Sequence, residues 1–478
     1  MNIIHGDCLE ELKKLEDNSV DAVVTDPPYG LSNTKPAQVA DVLKAWVTGD
    51  TEAVPTTKVG FMGASWDSFV PPPAVWEECM RVLKPGGHMA VFAGARTQDL
   101  MGLSIRLAGF EIRDTLGWIY GSGFPKSHDI GKAIDKRPGV HHHREFAAHL
   151  KEKREAAGLS RQDVSEHVVG TRSGACWNWE HHQFPKYEWW PALRDLLDLD
   201  EDRWGRIVAE ANREVVGKYK SGLHTGPSGV GGHGEGGAIT NPATSEAQRW
   251  DGWGTALKPA IEPIILARKP LDGTVASNVL AHGVGGLNID ACRVGSGTGE
   301  PKPEYVANDK NQVYGAGMGG GAWANTSGRF PANVLLDEHA AKEMDEQSGP
   351  AGAHGPRSGR GTGEGVTGWM TPGTRAHPND SGGASRFFPV FKYQAKAPKK
   401  ERPVIEREDG SKIQHPTVKP LALLEWLVEL ITPPGGVVLD PFAGSGTTLQ
   451  AALNKGFTPI GIEQDADYIQ LIEQRLAA

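Results

Sequence analysis

The feature that most restricts how this chain can fold is a junction near its start. An apolar run, Ser19 to Thr25 (SVDAVVT), leads directly into Asp26-Pro27-Pro28-Tyr29. The run is too short for a helix and rich in valine, which predicts a strand buried in a parallel sheet. Two consecutive prolines have no N–H to give a ladder, so the strand must end there. In open α/β sheets ligands bind at the carboxyl ends of the strands. The junction therefore offers a carboxylate, a rigid backbone with exposed carbonyls and a flat aromatic ring at such an end. That set suits the exocyclic amino group of a nucleobase, a poor nucleophile because its lone pair is delocalised into the ring. Asp26 and the carbonyl of Pro27 can accept its two hydrogens and draw the nitrogen toward a tetrahedral shape, with Tyr29 stacked on the base. A proline-rich turn with a capping aspartate is the other reading of these four residues.

A second stretch lies near the other end. Val437-Val438-Leu439-Asp440-Pro441-Phe442-Ala443-Gly444-Ser445-Gly446-Thr447-Thr448 reads as strand, glycine turn and helix start. Glycines let backbone approach a ligand closely, and the helix offers free N–H groups in its first turn. The helix LQAALNKG and a second strand, TPIGIE, follow, ending in Glu463. An acidic residue there is placed to bind ribose hydroxyls; a solvated strand-end charge is the alternative.

Together these residues resemble the S-adenosylmethionine-dependent amino-methyltransferases of DNA. With DPPY first and the Asp-x-Phe-x-Gly-x-Gly turn last, the order is that of the group called beta. The resemblance implies Asp26, Pro27, Pro28 and Tyr29 as the catalytic residues. It implies S-adenosylmethionine as cofactor, held by Asp440, Phe442, Gly444, Gly446, Thr447 and Glu463. It adds Asp7 and Cys8, after the first short strand at Asn2 to Ile4, where an acidic residue receives the adenine amino group; Asp7 also reads as a helix N-cap. His415-Pro416-Thr417-Val418-Lys419-Pro420 resembles the element that opens the cofactor half, with Thr417 and Lys419 at its polar positions. Simple capping and exposure are the alternatives for those two.

The last elements read strand, helix, strand, helix and the first read strand, helix, strand. Joined tail to head they make one sheet. The expected fold class is therefore α/β: a circularly ordered, doubly wound methyltransferase sheet with the two chain ends close together. An inserted small helical module and an irregular target-recognition region accompany it. The expected divisions are a catalytic half over 1–139, the insert over 140–216 and a glycine-rich loop with the last sheet strand over 217–270. Target recognition follows over 271–412 and the cofactor half over 413–478.

A chain of 478 residues can bury a large core and hold more than one domain. Its net charge of −9 argues against general polyanion affinity, so contact with double-stranded DNA must come from local patches. The four cysteines, Cys8, Cys79, Cys176 and Cys292, have neither disulfide nor metal-ligand spacing, and no metal is expected. The start, MNIIHGDCLEELKK, carries no secretory pattern, and no apolar stretch is long enough to span a membrane, so a cytoplasmic protein is expected.

Between the motifs, residues 31–70 read as a polar, proline-interrupted loop containing Gly60-Phe61-Met62 and Ser65-Trp66-Asp67. A helix over 72–83 stops at Lys84-Pro85-Gly86-Gly87, and His88 to Ala93 is the next strand. A helix over 97–108 and the strand FEIRDTLGWIYG follow. GSGFPKS, Gly121 to Ser127, resembles a family loop beside the target base, with Lys126 and Ser127 as candidate phosphate contacts.

In the insert, His141-His142-His143 reads as a solvated linker, Ala147 to Ala156 as a helix, and Ser160 as the N-cap of a second. RSGACWNWEHH forms a third stretch. The pattern resembles a phage-repressor helix-turn-helix, which would face Arg172, Ser173, Trp177 and Asn178 to a major groove. The span Arg144 to Glu180 holds six basic and six acidic residues, so a helical module that only packs or dimerises stays open.

Ser221 to Gly237 is a glycine-rich loop expected to be mobile. PAIEPIILAR returns to strand. The stretch from Leu271 to about Lys400 reads as loops and short strands with little helix. Lys392, Lys396, Lys399, Lys400 and Arg402, with Tyr393 between them, make a candidate phosphate strip.

The activity expected is methyl transfer to N6 of adenine in duplex DNA by base flipping. N4-cytosine transfer, an RNA or protein methyltransferase, and a non-catalytic DNA-binding regulator are the alternatives. C5-cytosine chemistry needs a nucleophilic cysteine, typically after proline, and none of the four follows a proline. A homodimer and a cognate restriction nuclease as partners are left open.

Overall fold

The computed structural model describes residues 2–32, 34–55, 67–121, 123, 127–135, 143–212, 215–218, 238–240, 245–295, 328–350, 382–391, 402–407 and 409–477. They form two compact units, 1–123 with 260–478, and 124–259.

The first unit is built on a nine-stranded sheet. Its strands are β1 (Asn2–His5), β2 (Val20–Thr25), β3 (Leu83–Phe92), β4 (Glu111–Ile119), β5 (Ile261–Arg268), β6 (Val334–Asp337), β7 (Val390–Phe391), β8 (Val437–Asp440) and β9 (Thr458–Glu463). The spatial order is β1-β9-β8-β2-β3-β5-β4-β6-β7. Every neighbouring pair is parallel except those made by β5, which runs antiparallel to both β3 and β4. The C-terminal strands β8 and β9 sit between the N-terminal strands β1 and β2. Asn2 pairs with Ile460, and Ala22 with Val438. This is the circular order expected: both chain ends complete one sheet.

Alternation along the strands divides the core. Val23, Met89, Val91, Ile265, Leu439 and Ile462 face one side, where α1 (Cys8–Leu12), α2 (Pro36–Val47), α3 (Pro73–Val82) and α4 (Gln98–Leu107) cover them. Ala22, Val24, Ala90, Phe92, Ile264, Leu266 and Val438 face the other. Beyond α5 (Val275–His282) and α6 (Glu338–Ser348), that side is covered by α7 (Leu421–Ile431) and α8 (Thr447–Asn454), with α9 (Ala466–Ala477) after them. Helix α7 buries Leu423, Leu424, Leu427, Val428, Leu430 and Ile431. Truncating one such leucine to alanine costs about 2–5 kcal/mol.

Three local expectations need correction. Residues 36–47 are helix, not loop: Pro36 opens α2, and Val42 and Trp46, four apart, bury one stripe. The helix over 73–82 does not give way to a turn at Lys84–Gly87. The backbone enters β3 at Leu83, with a register shift between Val20 and Ala22 on the partner strand and Gly86 at φ +78°. The described residues of region 271–412 hold more helix than expected, beside the short strands expected there. They include α5 and α6, and two of the strands, β6 and β7, extend the central sheet beyond β4.

The second unit packs helices His143–Ala156, Arg161–Val169, Ala175–His181, Trp190–Leu197 and Arg206–Ala211 around Phe146, Leu150, Val164, Cys176, Trp179, Trp190, Leu193, Trp204 and Val208. Ser160 and Asp163 make a reciprocal capping box at the start of the second of these helices, and Gly170, at φ +81°, ends it. The buried Glu180 carboxylate takes Arg154 Nε and Arg161 Nε at 2.6 Å each, so this charge ties three helical segments together. His143 begins a helix and bonds the carbonyl of Trp179 at 3.1 Å; it is not linker. His141, His142, Gly60-Phe61-Met62, Ser65-Trp66 and the loop Ser221 to Gly237 lie outside the described residues. Among the described residues, no helix is long and apolar enough to cross a membrane, and no group of three His, Cys, Asp or Glu could hold a metal ion.

Candidate active site

The carboxyl ends of β1, β9, β8 and β2 lie side by side and carry His5, Glu463, Asp440 and Thr25 in that order. Between β8 and β2 the chain order reverses, the point where doubly wound sheets open a cleft. Across this point Thr25 Oγ1 donates to Asp440 Oδ1 at 2.6 Å. The DPPY segment and the glycine turn are therefore neighbours, one on each side of the crevice.

On the β2 side, the backbone after Tyr29 is pinned from two directions. Thr97 Oγ1 donates to the Tyr29 carbonyl at 2.6 Å, and Gly30 N donates to the buried Asp67 Oδ1 at 2.8 Å. Gly30 sits at φ +65°, and a Cβ there would stand 2.6 Å from Val70 N, so only glycine passes. Burial pushes the Asp67 carboxyl up, and the N–H groups of Gly30 and Tyr29 oppose it.

The Asp26 carboxylate is held at both oxygens: Tyr29 Oη donates to Oδ1 at 2.7 Å and Lys419 Nζ to Oδ2 at 2.6 Å. Lys419 Nζ also lies 3.0 Å from the Tyr29 hydroxyl and 3.4 Å from Glu262 Oε2. Burial pulls the lysine down, but Asp26 and Glu262 outweigh it and hold its pKa above the ordinary value. Burial, then the Asp26 charge, pushes the Tyr29 phenol well up.

On the β8 side, the turn from Pro441 to Gly446 is shaped for close approach. Gly444 lies at φ +53°, and a Cβ there would stand 3.0 Å from His415 Nε2. Gly446, at φ +76°, caps α8. Arg475 Nε donates to the Ser445 carbonyl at 2.7 Å and braces the turn from α9. Asp440 accepts from Thr25 and, at 3.1 Å, from Phe442 N; the Phe442 ring packs on Trp76. Burial pushes Asp440 up to about 6 against the hydrogen bonds from Thr25, Thr448 and Phe442. Glu463 takes Gly444 N on Oε2 and Asp465 N on Oε1, both at 2.8 Å, and burial raises its pKa. Each oxygen keeps a further acceptor site for a hydroxyl. Asp7 caps α1 through Leu9 N and Glu10 N. Burial, then Asp7, pushes the Cys8 thiol up to about 12, which leaves it a packing group.

These residues fit a ligand with hydroxyl donors, a cationic amine and a carboxylate: acidic side chains meet the first two, and the N–H groups of a glycine turn and a helix start suit the third. Of the sequence candidates, Asp7, Cys8, Asp440, Phe442, Gly444, Gly446, Thr447 and Glu463 follow three adjacent strand ends. Thr417 is exposed, and Pro420, not Thr417, caps α7. Lys419 is part-buried, and its ammonium bonds the Asp26 carboxylate across the crevice. The sequence reading missed Glu262, Thr25, Asp67 and Arg475. A glutamate inside the apolar strand β5 was a signal, since a charge there needs a partner.

Of the nucleic-acid candidates, Ser127, Arg172, Trp177 and Asn178 lie among the described residues. Lys126, Lys392, Tyr393, Lys396, Lys399 and Lys400 lie outside the described residues. Ser127 Oγ accepts from Thr255 N and Ala256 N at 3.0 and 3.3 Å. Arg172 is exposed but paired with Glu166 and Asp163. Asn178 is half-buried, its carbonyl taking His182 N and Gln183 N, while Trp177 is exposed and stacks on His181.

A family model described as DNA methylase, of the N6/N4 type, matches residues 20–201 and 300–474. YubD of Escherichia coli (strain K12) is 53% identical over 64 residues, 13% of this chain and 28% of that protein. The type II methyltransferase M.ScaI of Streptomyces caespitosus is 38% identical over 73 residues, 15% of this chain and 24% of that protein. The matched stretches thus span about a quarter of these relatives' length. Among solved structures, M1.HpyAVI in complex with SAM aligns over 100% of this chain and 99% of its own, at 13% identity and a TM-score of 0.34.

Proposed function

We propose that this chain, which belongs to the DNA methylase family of N6/N4 type, transfers a methyl group from S-adenosylmethionine to the exocyclic N6 of adenine in double-stranded DNA. The observation that carries the reading is the 2.6 Å hydrogen bond between Thr25 and Asp440. It sets an amino-group acceptor, Asp26, beside a crevice suited to the cofactor. Asp440 and the turn from Phe442 to Thr447 hold the methionine end, Glu463 the ribose hydroxyls, and Asp7 with the wall at Cys8 the adenine. The cofactor, when bound, supplies an activated methyl group on sulfur.

Everything else falls to this chain's side chains. Asp26 and the Pro27 carbonyl accept the two hydrogens of the target amino group, which concentrates the lone pair on nitrogen. Pro27 and Pro28 fix the carbonyl's direction, since neither can rotate about φ. Tyr29 orients Asp26 through its hydroxyl and offers a ring face to the base. A paired, stacked adenine cannot reach Asp26, so the base is extruded from the duplex. Asp in the first DPPY position supports adenine over cytosine, where the family more often has serine. The five-helix unit around Ala175–His181 and the basic run from Lys392 to Arg402 are assigned to DNA contact.

The test is transfer of a radiolabelled methyl group to duplex DNA, RNA and protein side by side. Label in duplex DNA alone is the expected result. Label only in RNA or protein, or in nothing, overturns the reading.

A further inference from the structure

The lysine at the catalytic carboxylate has more than one partner, and the second is unusually placed. Lys419 Nζ is 2.6 Å from Asp26 Oδ2 and 3.4 Å from Glu262 Oε2. That Glu262 oxygen is buried and takes part in no hydrogen bond, so it meets the ammonium at ion-pair distance only. The rings of Phe92 and Tyr29 flank the ammonium at 5.0 and 5.3 Å from their centroids. A buried carboxylate oxygen met only at this long distance is under-satisfied, and such a group calls for an explanation.

Chemistry at Asp26 supplies one. A carboxylate that already accepts from an ammonium and a phenol is a weakened acceptor for an incoming amino group. The target nitrogen becomes nucleophilic only as far as Asp26 draws on its hydrogens. An ammonium that moves off Oδ2 as the base arrives restores the full accepting power of that oxygen, and it needs a negative partner within reach, since an unpaired buried charge is prohibitive.

We infer that Lys419 is a positioning residue with two seats, Asp26 before the target base enters and Glu262 once the amino group has taken Asp26. Glu262 acts only through Lys419. The first seat holds Asp26 in its productive rotamer, and the second keeps the lysine's charge paired while Asp26 is engaged. The inference rests on the proposed methyl transfer and adds to it a residue of β5 to which sequence reading assigns no role.

The test compares Glu262→Gln, Lys419→Met and the double variant in single-turnover methyl transfer. Cofactor affinity by calorimetry and duplex affinity are measured alongside. Glu262→Gln keeps shape and removes the second seat. It should slow the methyl-transfer step by about tenfold and leave both affinities within about twofold, because the loss falls on the transition state. Lys419→Met should slow it by about a hundredfold, and the double variant no further, since two residues acting as one unit are not additive.

A Glu262→Gln variant of full rate, or losses that multiply in the double variant, would overturn the two-seat role. So would cofactor affinity that collapses in Lys419→Met, which would make the lysine a cofactor ligand. A wild-type chain that methylates no DNA overturns the reaction itself and this inference with it.

Discussion

At the end of β2 the Asp26 carboxylate is met by a lysine and a phenol; at the ends of β8 and β9, Asp440 and Glu463 are met by backbone N–H groups and hydroxyls. The two corners share one crevice yet handle buried charge in opposite ways. The first sets one lysine between two carboxylates, Asp26 and Glu262, so a hydrogen-bond donor can be exchanged while the lysine stays paired. The second concentrates negative charge where burial pushes both carboxyls up, a setting that favours a ligand bringing hydroxyls and a cation. A corner that trades donors suits a substrate that comes and goes, and a corner that accumulates charge suits a tightly seated cofactor.

The largest effect should come from removing the lysine-paired carboxylate. Asp26→Ala should lower methyl transfer by at least about a thousandfold while cofactor affinity stays within about threefold, because its loss falls on the transition state alone. Single-turnover label transfer and calorimetry check the pair. Loss of cofactor binding in a folded variant would merge the two corners into one.

Gly444→Val attacks the other corner. A β-branched residue at φ +53°, with its Cβ 3.0 Å from His415 Nε2, must move the turn. Cofactor affinity should fall by about a hundredfold, while the rate at saturating cofactor falls much less. Equal loss in both would contradict the separation.

Asp440 gives a pH signature. Its folded pKa of about 6 lies above the ordinary 3.8, so between those values the folded chain binds the extra proton. Stability of the ligand-free chain contributed by this group should therefore fall as pH rises from about 4 to 6, by at most about 3 kcal/mol. Cofactor affinity should change the opposite way, rising by about tenfold across the same window as the carboxylate gains its charge. The difference between wild type and Asp440→Asn in melting temperature and calorimetric affinity isolates both slopes. Parallel slopes would show that Asp440 does not face the cofactor's cation.

The smallest effect belongs to the second unit. Arg172 is already paired with Glu166 and Asp163, so Arg172→Ala with Asn178→Ala should weaken duplex binding by no more than about fivefold and leave the transfer step unchanged. A loss in the transfer step, read in single turnover, would make this unit part of the reaction.

How much of this was legible in the sequence follows from how local each signal is. The ends of β2, β8 and β9 were readable because Pro27-Pro28, the Gly444–Gly446 turn and Glu463 each announce themselves within a few residues. Circular order followed from reading tail to head. Helix α2 was missed because its apolar stripe is sparse, and Pro36 reads equally as loop or first turn. The short strands of 271–412 were expected, but their place at the edge of the central sheet was not legible, because β6 and β7 are four and two residues long. Lys419 was read as a cofactor residue by motif position; its bond to Asp26 was not legible, because it joins residues 393 positions apart. Glu262 carried only the hint of a charge in a strand. Pairwise charge balance across strands leaves no periodic trace.

The target atom tests the account most directly. Duplex DNA incubated with the chain and S-adenosylmethionine is digested to nucleosides, which are then separated and weighed by mass spectrometry. N6-methyladenine is the expected product, absent when Asp26→Ala replaces the wild type. N4-methylcytosine without N6-methyladenine, or either product from the Asp26→Ala variant at wild-type yield, would contradict it.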